Sequence, residues 1–123
     1  MRPAALYLAS ALTAIWGVAH LFATRGVVAG FGEISQDNRR VITMEWIVEG
    51  VALISIAAFV AGTTALGPVS PVASGVYAVA IGALLTLAVV SLFTGFRVAF
   101  LPYRLCPFIF AVSAALIAFG AWG

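Results

Sequence analysis

The chain has 123 residues, 64% of them hydrophobic and 8% charged, with a mean hydropathy of +1.19. Soluble domains carry about a quarter charged residues, so this composition excludes an ordinary water-soluble fold, and its apolarity excludes disorder. Six arginines without a lysine stand against four carboxylates, a formal net charge of +2 that forms no basic patch of the kind nucleic acid needs.

A hydrocarbon core about 30 Å thick takes roughly 20 apolar residues per helix. The first such run covers residues 3–24, between Arg2 and Arg25. It is longer than the roughly 7–15 residues of a signal-peptide core and is read as a retained helix. Residues 25–38 follow as the longest connection, expected to be a solvated connector or a lid, with Asp37 or Asn38 capping the next helix. The second run covers 41–61, and Gly62 to Pro71 is turn-rich and uncharged. The third run covers 72–94. The fourth covers 102–122, with Pro102 in its first turn and Pro107 about a turn inside, where a kink is expected. Lipid offers backbone groups no partners, so every run is expected to be helical. The fold class is therefore all-α: residues 1–123 form a single transmembrane domain, a four-transmembrane-helix bundle of a polytopic integral membrane protein.

Arg25, Arg39 and Arg40 lie between helices one and two, and Arg97 and Arg104 lie around the third connection, while Arg2 stands alone on the other side. The positive-inside rule then places both connections in the cytoplasm and both termini outside, with the bacterial cytoplasmic (inner) membrane as the expected location. Tyr7, Tyr77 and Trp122 fall near the outer ends, at headgroup level. Small residues that let helices approach recur at four-residue spacing: Ala5, Ala9, Thr13 and Gly17 in helix one, and Ser74, Ala78, Gly82 and Thr86 in helix three. Helix four offers Ala111 with Ala115 on one face and Ala114 with Ala118 on another. Cys106 is the only cysteine, which excludes an internal disulfide and is read as a small packed residue.

Glu45 and Glu49 are four residues apart and share one face of helix two. Counted from Arg40 they lie roughly 7 and 13 Å into the membrane. A charge at a helix centre costs about 2.5–3.5 kcal/mol, so that face is expected to turn inward. Two adjacent carboxylates do not both ionise cheaply in low dielectric, which makes the pair able to hold and exchange a proton. The partners within reach are His20 at the end of a Thr13, Trp16, Gly17 stripe, Arg97, Arg104, Trp46 and Tyr103. The expected site is a cytoplasm-facing pocket of His20, Glu45, Glu49, Arg97, Arg104, Trp16, Trp46 and Tyr103. Helix-to-helix packing is the competing role for the same charges. One histidine without a ligand-spacing motif argues against a metal, and no cofactor is expected.

Three functional readings remain open. The pocket binds an amphipathic small molecule, lipid or quinone, with the protein acting alone or as an accessory subunit. Alternatively, Glu45 or Glu49 accepts a proton and His20 donates one in an isomerase-type enzyme. The third reading, a proton-coupled transporter or channel formed by an oligomer, is weakened by the outer halves of helices two, three and four, which carry only hydroxyls and one tyrosine. A homo-oligomer or a larger membrane complex is compatible with each.

The segments Gly17-Val18-Ala19-His20-Leu21, Met44-Glu45-Trp46-Ile47-Val48-Glu49-Gly50 and Leu101-Pro102-Tyr103-Arg104-Leu105-Cys106-Pro107 resemble the DoxX-like group of small four-helix bacterial membrane proteins. The resemblance implies a four-helix bundle, and in some members a small-subunit role in quinone-coupled oxidation. It carries no catalytic residue over to this chain. A more distant likeness, in the use of buried acids alone, is to the EXPERA group of sterol-binding membrane proteins.

Overall fold

Four uninterrupted apolar runs become four helices in the computed structural model, which describes residues 1–123: α1 (Pro3–Gly30), α2 (Gln36–Leu66), α3 (Pro71–Thr94) and α4 (Leu101–Trp122). There is no strand, and each helix is long and apolar enough to cross a membrane. The protein is a multi-pass membrane bundle.

The third and fourth helices keep their expected limits to within a residue, whereas α1 and α2 are longer. Helix α1 runs on through Gly26 and Gly30, and α2 starts at Gln36 and continues through Gly62 to Leu66. Glycine inside a helix costs about 1 kcal/mol relative to alanine. Continued packing offsets that cost: Val28 and Thr64 are buried within the added turns. The expected long connector shrinks to residues 31–35, where Gly32 takes a left-handed φ of 70°. The cap of α2 is Ser35, whose hydroxyl accepts the Asn38 N–H at 3.1 Å, rather than Asp37 or Asn38. Ser70 caps α3 in the same way through Ala73 N–H at 3.0 Å. Pro107 lies inside α4, which continues past it to Trp122.

Helix α1 packs most extensively on α2 and α3 on α4; the two hairpins join along α1–α4, while α2 and α3 meet least. Leu6, Leu53, Leu84, Phe110 and Ile117 fill the shared core. The tightest approach of one helix backbone to another is between Gly17 and Gly50. A Cβ on Gly17 would lie 2.8 Å from the Gly50 carbonyl oxygen, so only glycine lets these backbones come so close. On α1 the expected stripe does face inward, with Ala9, Thr13 and Gly17 buried. On α3 the expected Ser74, Ala78, Gly82 and Thr86 stripe is exposed, and the helix buries Ala73, Tyr77, Ala80, Leu84 and Ala88 instead. Tyr77 is thus buried in the core. Its hydroxyl is 3.0 Å from Thr64 Oγ1, the only hydrogen bond between side chains of different helices.

The ends of the bundle are not level. Arg2 N–H donates to Gly120 O at 2.7 Å and the Arg2 guanidinium sits 4.4 Å over the Phe119 ring, which aligns the start of α1 with the end of α4. Helix α1 has 28 residues and α4 has 22, so at the other end α1 overhangs the start of α4 by about 9 Å.

Candidate functional site

Under that overhang, one face of α1 presents Trp16, Ala19, His20 and Ala23, at the three- and four-residue steps that bring helical side chains together. Helix α2 contributes Trp46, the first turns of α4 contribute Pro102, Tyr103 and Cys106, and Phe100 closes the set from the preceding connection. These nine residues enclose a chamber of about 160 Å³. It adjoins a larger, open vestibule of about 540 Å³ beneath the overhang, lined by Ala23, Gly26, Val27, Gly30, Phe31, Phe100 and Tyr103. Ala23, Phe100 and Tyr103 wall both spaces and form the passage between them.

Aromatic contacts set the shape of the chamber. Trp46 stacks on the His20 ring with centroids 4.8 Å apart and planes 27° from parallel. Trp16 meets His20 edge-on at 6.3 Å, Tyr103 meets Trp46 edge-on at 5.6 Å, and Phe100 meets Tyr103 edge-on at 5.9 Å. Edge-to-face and offset arrangements of this kind add about 0.5–1.5 kcal/mol each beyond area burial.

His20 is buried, and its Nδ1 lies 3.1 Å from the Trp16 carbonyl oxygen. A carbonyl only accepts, so Nδ1 carries the hydrogen and Nε2 turns toward Glu49, whose Oε1 is 3.5 Å away. The His20 side chain is 7% exposed and that of Glu49 36%, so the carboxylate is reached from outside and the imidazole from the chamber. Trp16 Nε1 and Trp46 Nε1 are buried without any hydrogen-bond partner; Trp16 lies beside the Cys106 sulfur without hydrogen-bond geometry. An unmade buried hydrogen bond costs about 1–3 kcal/mol, so each indole N–H wants an acceptor.

The structure therefore brings together His20, Trp16, Trp46 and Tyr103, with Glu49 behind His20, and it does not bring in Glu45, Arg97 or Arg104. Glu45 is exposed and unpaired, and with Glu49 it lines a separate groove of about 350 Å³ that reaches Leu87 of α3. Its neighbour Trp46 touches Tyr103 in the first turn of α4, so Glu45 lies at the level where α4 begins. Arg97 is exposed without a hydrogen bond or ion pair, and Arg104 donates from Nε to the Val98 carbonyl at 3.2 Å. Long cationic side chains reach away from the apolar interior, and these do so rather than meet the acids. No three His, Cys, Asp or Glu side chains come together as a ligand set for a metal.

Ala19 and Ala23 were legible as neighbours of Trp16 and His20 on one helical face. Phe100 lies outside any helix and gives no periodic signal. Cys106 is buried, and its thiol donates to the Pro102 carbonyl at 3.4 Å. Set against protein-family models, curated proteins and solved structures, the chain matches none. The fold and the chamber define its class: a small multi-pass bundle with an aromatic, nearly apolar cavity toward one end and a contact between His20 and Glu49 in its wall.

Proposed function

We propose that this protein binds an amphipathic small molecule, lipid or quinone within the membrane, either alone or as an accessory subunit. The head group lies in the chamber against His20, Trp16 and Trp46, and the apolar body runs out through the vestibule. One observation carries the reading: an aromatic, nearly apolar chamber walled by Trp16, His20, Trp46 and Tyr103 continues into an open groove. Pockets for small ligands have this composition, mostly apolar with a few convergent polar groups. The likeness to DoxX-like proteins, the inner-membrane location and a cytoplasmic position for the arginine-rich end belong to the same proposal.

Acid–base catalysis is the second reading, favoured by the 3.5 Å approach of Glu49 Oε1 to His20 Nε2 at the chamber wall. Transport is not favoured, because the hydroxyls farther along α1 are engaged with their own helix: Ser10 donates to Leu6 O and Thr13 to Ala9 O, each at 2.9 Å.

The test is retention of a co-extracted molecule, read by mass spectrometry after gentle purification. Ala23→Trp, at an exposed position between vestibule and chamber, is expected to abolish retention while the helical circular dichroism stays unchanged. Ala83→Trp, in the distant α2–α3 groove, is expected to retain the molecule. Equal retention by both variants refutes binding in the chamber, and a chemically altered molecule found only with intact Glu49 supports the enzyme reading.

A further inference from the structure

On the condition that the chamber binds a guest, its walls narrow the class of that guest. Five of its nine lining residues carry rings: Trp16, His20, Trp46, Phe100 and Tyr103. Neighbouring rings mostly cross rather than stack, Trp16 with His20 at 65°, Trp46 with Tyr103 at 67° and Phe100 with Tyr103 at 65°. The one near-parallel pair, Trp46 and His20, is closed on itself at 4.8 Å and leaves no slot between its rings. A flat head group is sandwiched only between parallel walls separated by about twice the 3.5–4.0 Å of carbon contact, and none of these pairs provides that. Crossed rings instead make a box for a compact, rounded group. The box is poor in hydrogen-bond acceptors, since the Tyr103 hydroxyl is the only side-chain oxygen on its walls. No arginine lines it. A charge on His20 would face the Glu49 carboxylate, whose Oε1 is 3.5 Å from Nε2, so the wall holds no cation without a counter-charge.

We infer that the chamber is an aromatic cage for a quaternary ammonium head group carried on an apolar chain. The faces of aromatic rings are negative and attract a cation within about 6 Å of the centroid, most strongly at tryptophan. A quaternary ammonium has no N–H, so placing it among rings leaves no donor unpaired. A primary ammonium brings three donors, more than one hydroxyl oxygen satisfies, and each buried donor without an acceptor costs affinity. A neutral tert-butyl group has the same shape but gains nothing from the ring faces. The chamber volume of about 160 Å³ is about five times the liquid volume of one water, room for a nitrogen and the four carbons bonded to it. The chain leaves through the passage at Ala23 into the apolar vestibule of about 540 Å³. Choline phospholipids and free single-chain cations both supply this chemistry.

The experiment uses radiolabelled dodecyltrimethylammonium, dodecylammonium and 2,2-dimethyltetradecane, the last with carbon in place of the quaternary nitrogen. Saturable binding is measured to the whole protein in nanodiscs of phosphatidylethanolamine and phosphatidylglycerol, with empty nanodiscs subtracted and affinities expressed per probe dissolved in the lipid. Dodecyltrimethylammonium is expected to bind about tenfold more tightly than either comparison probe. Tyr103→Leu and Phe100→Leu each remove a ring and are expected to weaken it about fivefold, leaving the alkane within about twofold. Tyr103→Phe keeps the ring and is expected to bind within about twofold of the unchanged protein. Phe100 is 56% exposed and outside any helix, so its substitution serves if Tyr103→Leu does not fold. Competition by added phosphatidylcholine supports the cage with a choline lipid as occupant, and binding without competition supports it with a free single-chain cation. Equal binding of the three probes overturns the cage but leaves the chamber as a binding site. A preference that survives both leucine substitutions also overturns it. Absence of saturable binding by all three probes overturns the cage as well, whereas the binding reading falls only if Ala23→Trp also fails to abolish retention of a co-extracted molecule.

Discussion

Gly17→Ala tests the close backbone approach of α1 and α2. The added Cβ would stand 2.8 Å from the Gly50 carbonyl oxygen and 3.0 Å from both Leu53 Cβ and Ile54 Cγ1, where ordinary contact begins at 3.4 Å. A carbonyl within a helix does not swing aside, so α1 and α2 must separate by about 0.6 Å at this point. Overpacking of this kind costs about 1–3 kcal/mol. Alanine also brings a helix-propensity gain of about 1 kcal/mol over glycine, which hides part of the cost. Gly82→Ala is the matched control: it lies inside α3 with nothing within 4 Å of the new methyl and gains the same propensity. Reversible unfolding in mixed micelles, followed by far-ultraviolet circular dichroism, is expected to find Gly17→Ala about 1–3 kcal/mol less stable than Gly82→Ala. His20 is one turn from Gly17 and Glu49 adjoins Gly50. A separation of that size along the Nε2–Oε1 direction carries their 3.5 Å contact past the roughly 4 Å reach of an ion pair. Equal stability of the two variants refutes the assigned contact.

Two further substitutions probe buried hydroxyls. Tyr77→Phe removes the bond to Thr64 Oγ1, but Thr64 still donates to the Val60 carbonyl at 2.7 Å and is not orphaned. The expected loss in the same unfolding assay is about 0.6 kcal/mol, the average for such bonds within membranes, and a loss above about 2 kcal/mol contradicts this account. Ser113 is fully buried with no partner for its hydroxyl, so Ser113→Ala is expected to leave stability unchanged or raise it by up to about 1 kcal/mol. A clear destabilisation would mean that the hydroxyl is bonded.

The four helices were legible because apolar runs of sufficient length have no other solution in lipid. Their ends were less so. The continuation of α1 through Gly26 and Gly30 depends on the burial of Val28, a tertiary effect that opposes local propensity. The face of α3 was misread for a related reason: in a helix made of Ala, Gly, Val and Leu, small residues recur at four-residue spacing on more than one side. What decides the face is the placement of Tyr77 and Leu84, which the spacing does not reveal. At the site, the cost of polar groups in a membrane drew attention to His20, Glu49 and the aromatic residues beside them. It could not separate Glu49 from Glu45, because their depths depend on how far α1 and α2 overhang the start of α4. Arg97 and Arg104 were grouped with the acids by sequence depth alone, whereas their side chains are exposed away from them.

The poor contact between α2 and α3 has a mechanical consequence. That seam is fastened by one side-chain bond, Thr64 to Tyr77, and Trp46 lies 18 residues back along α2, about 27 Å away. The two hairpins are held together along α1–α4, so the α2–α3 side is where they part most easily, and it parts first at the end away from the Thr64–Tyr77 clasp, where Trp46 lies.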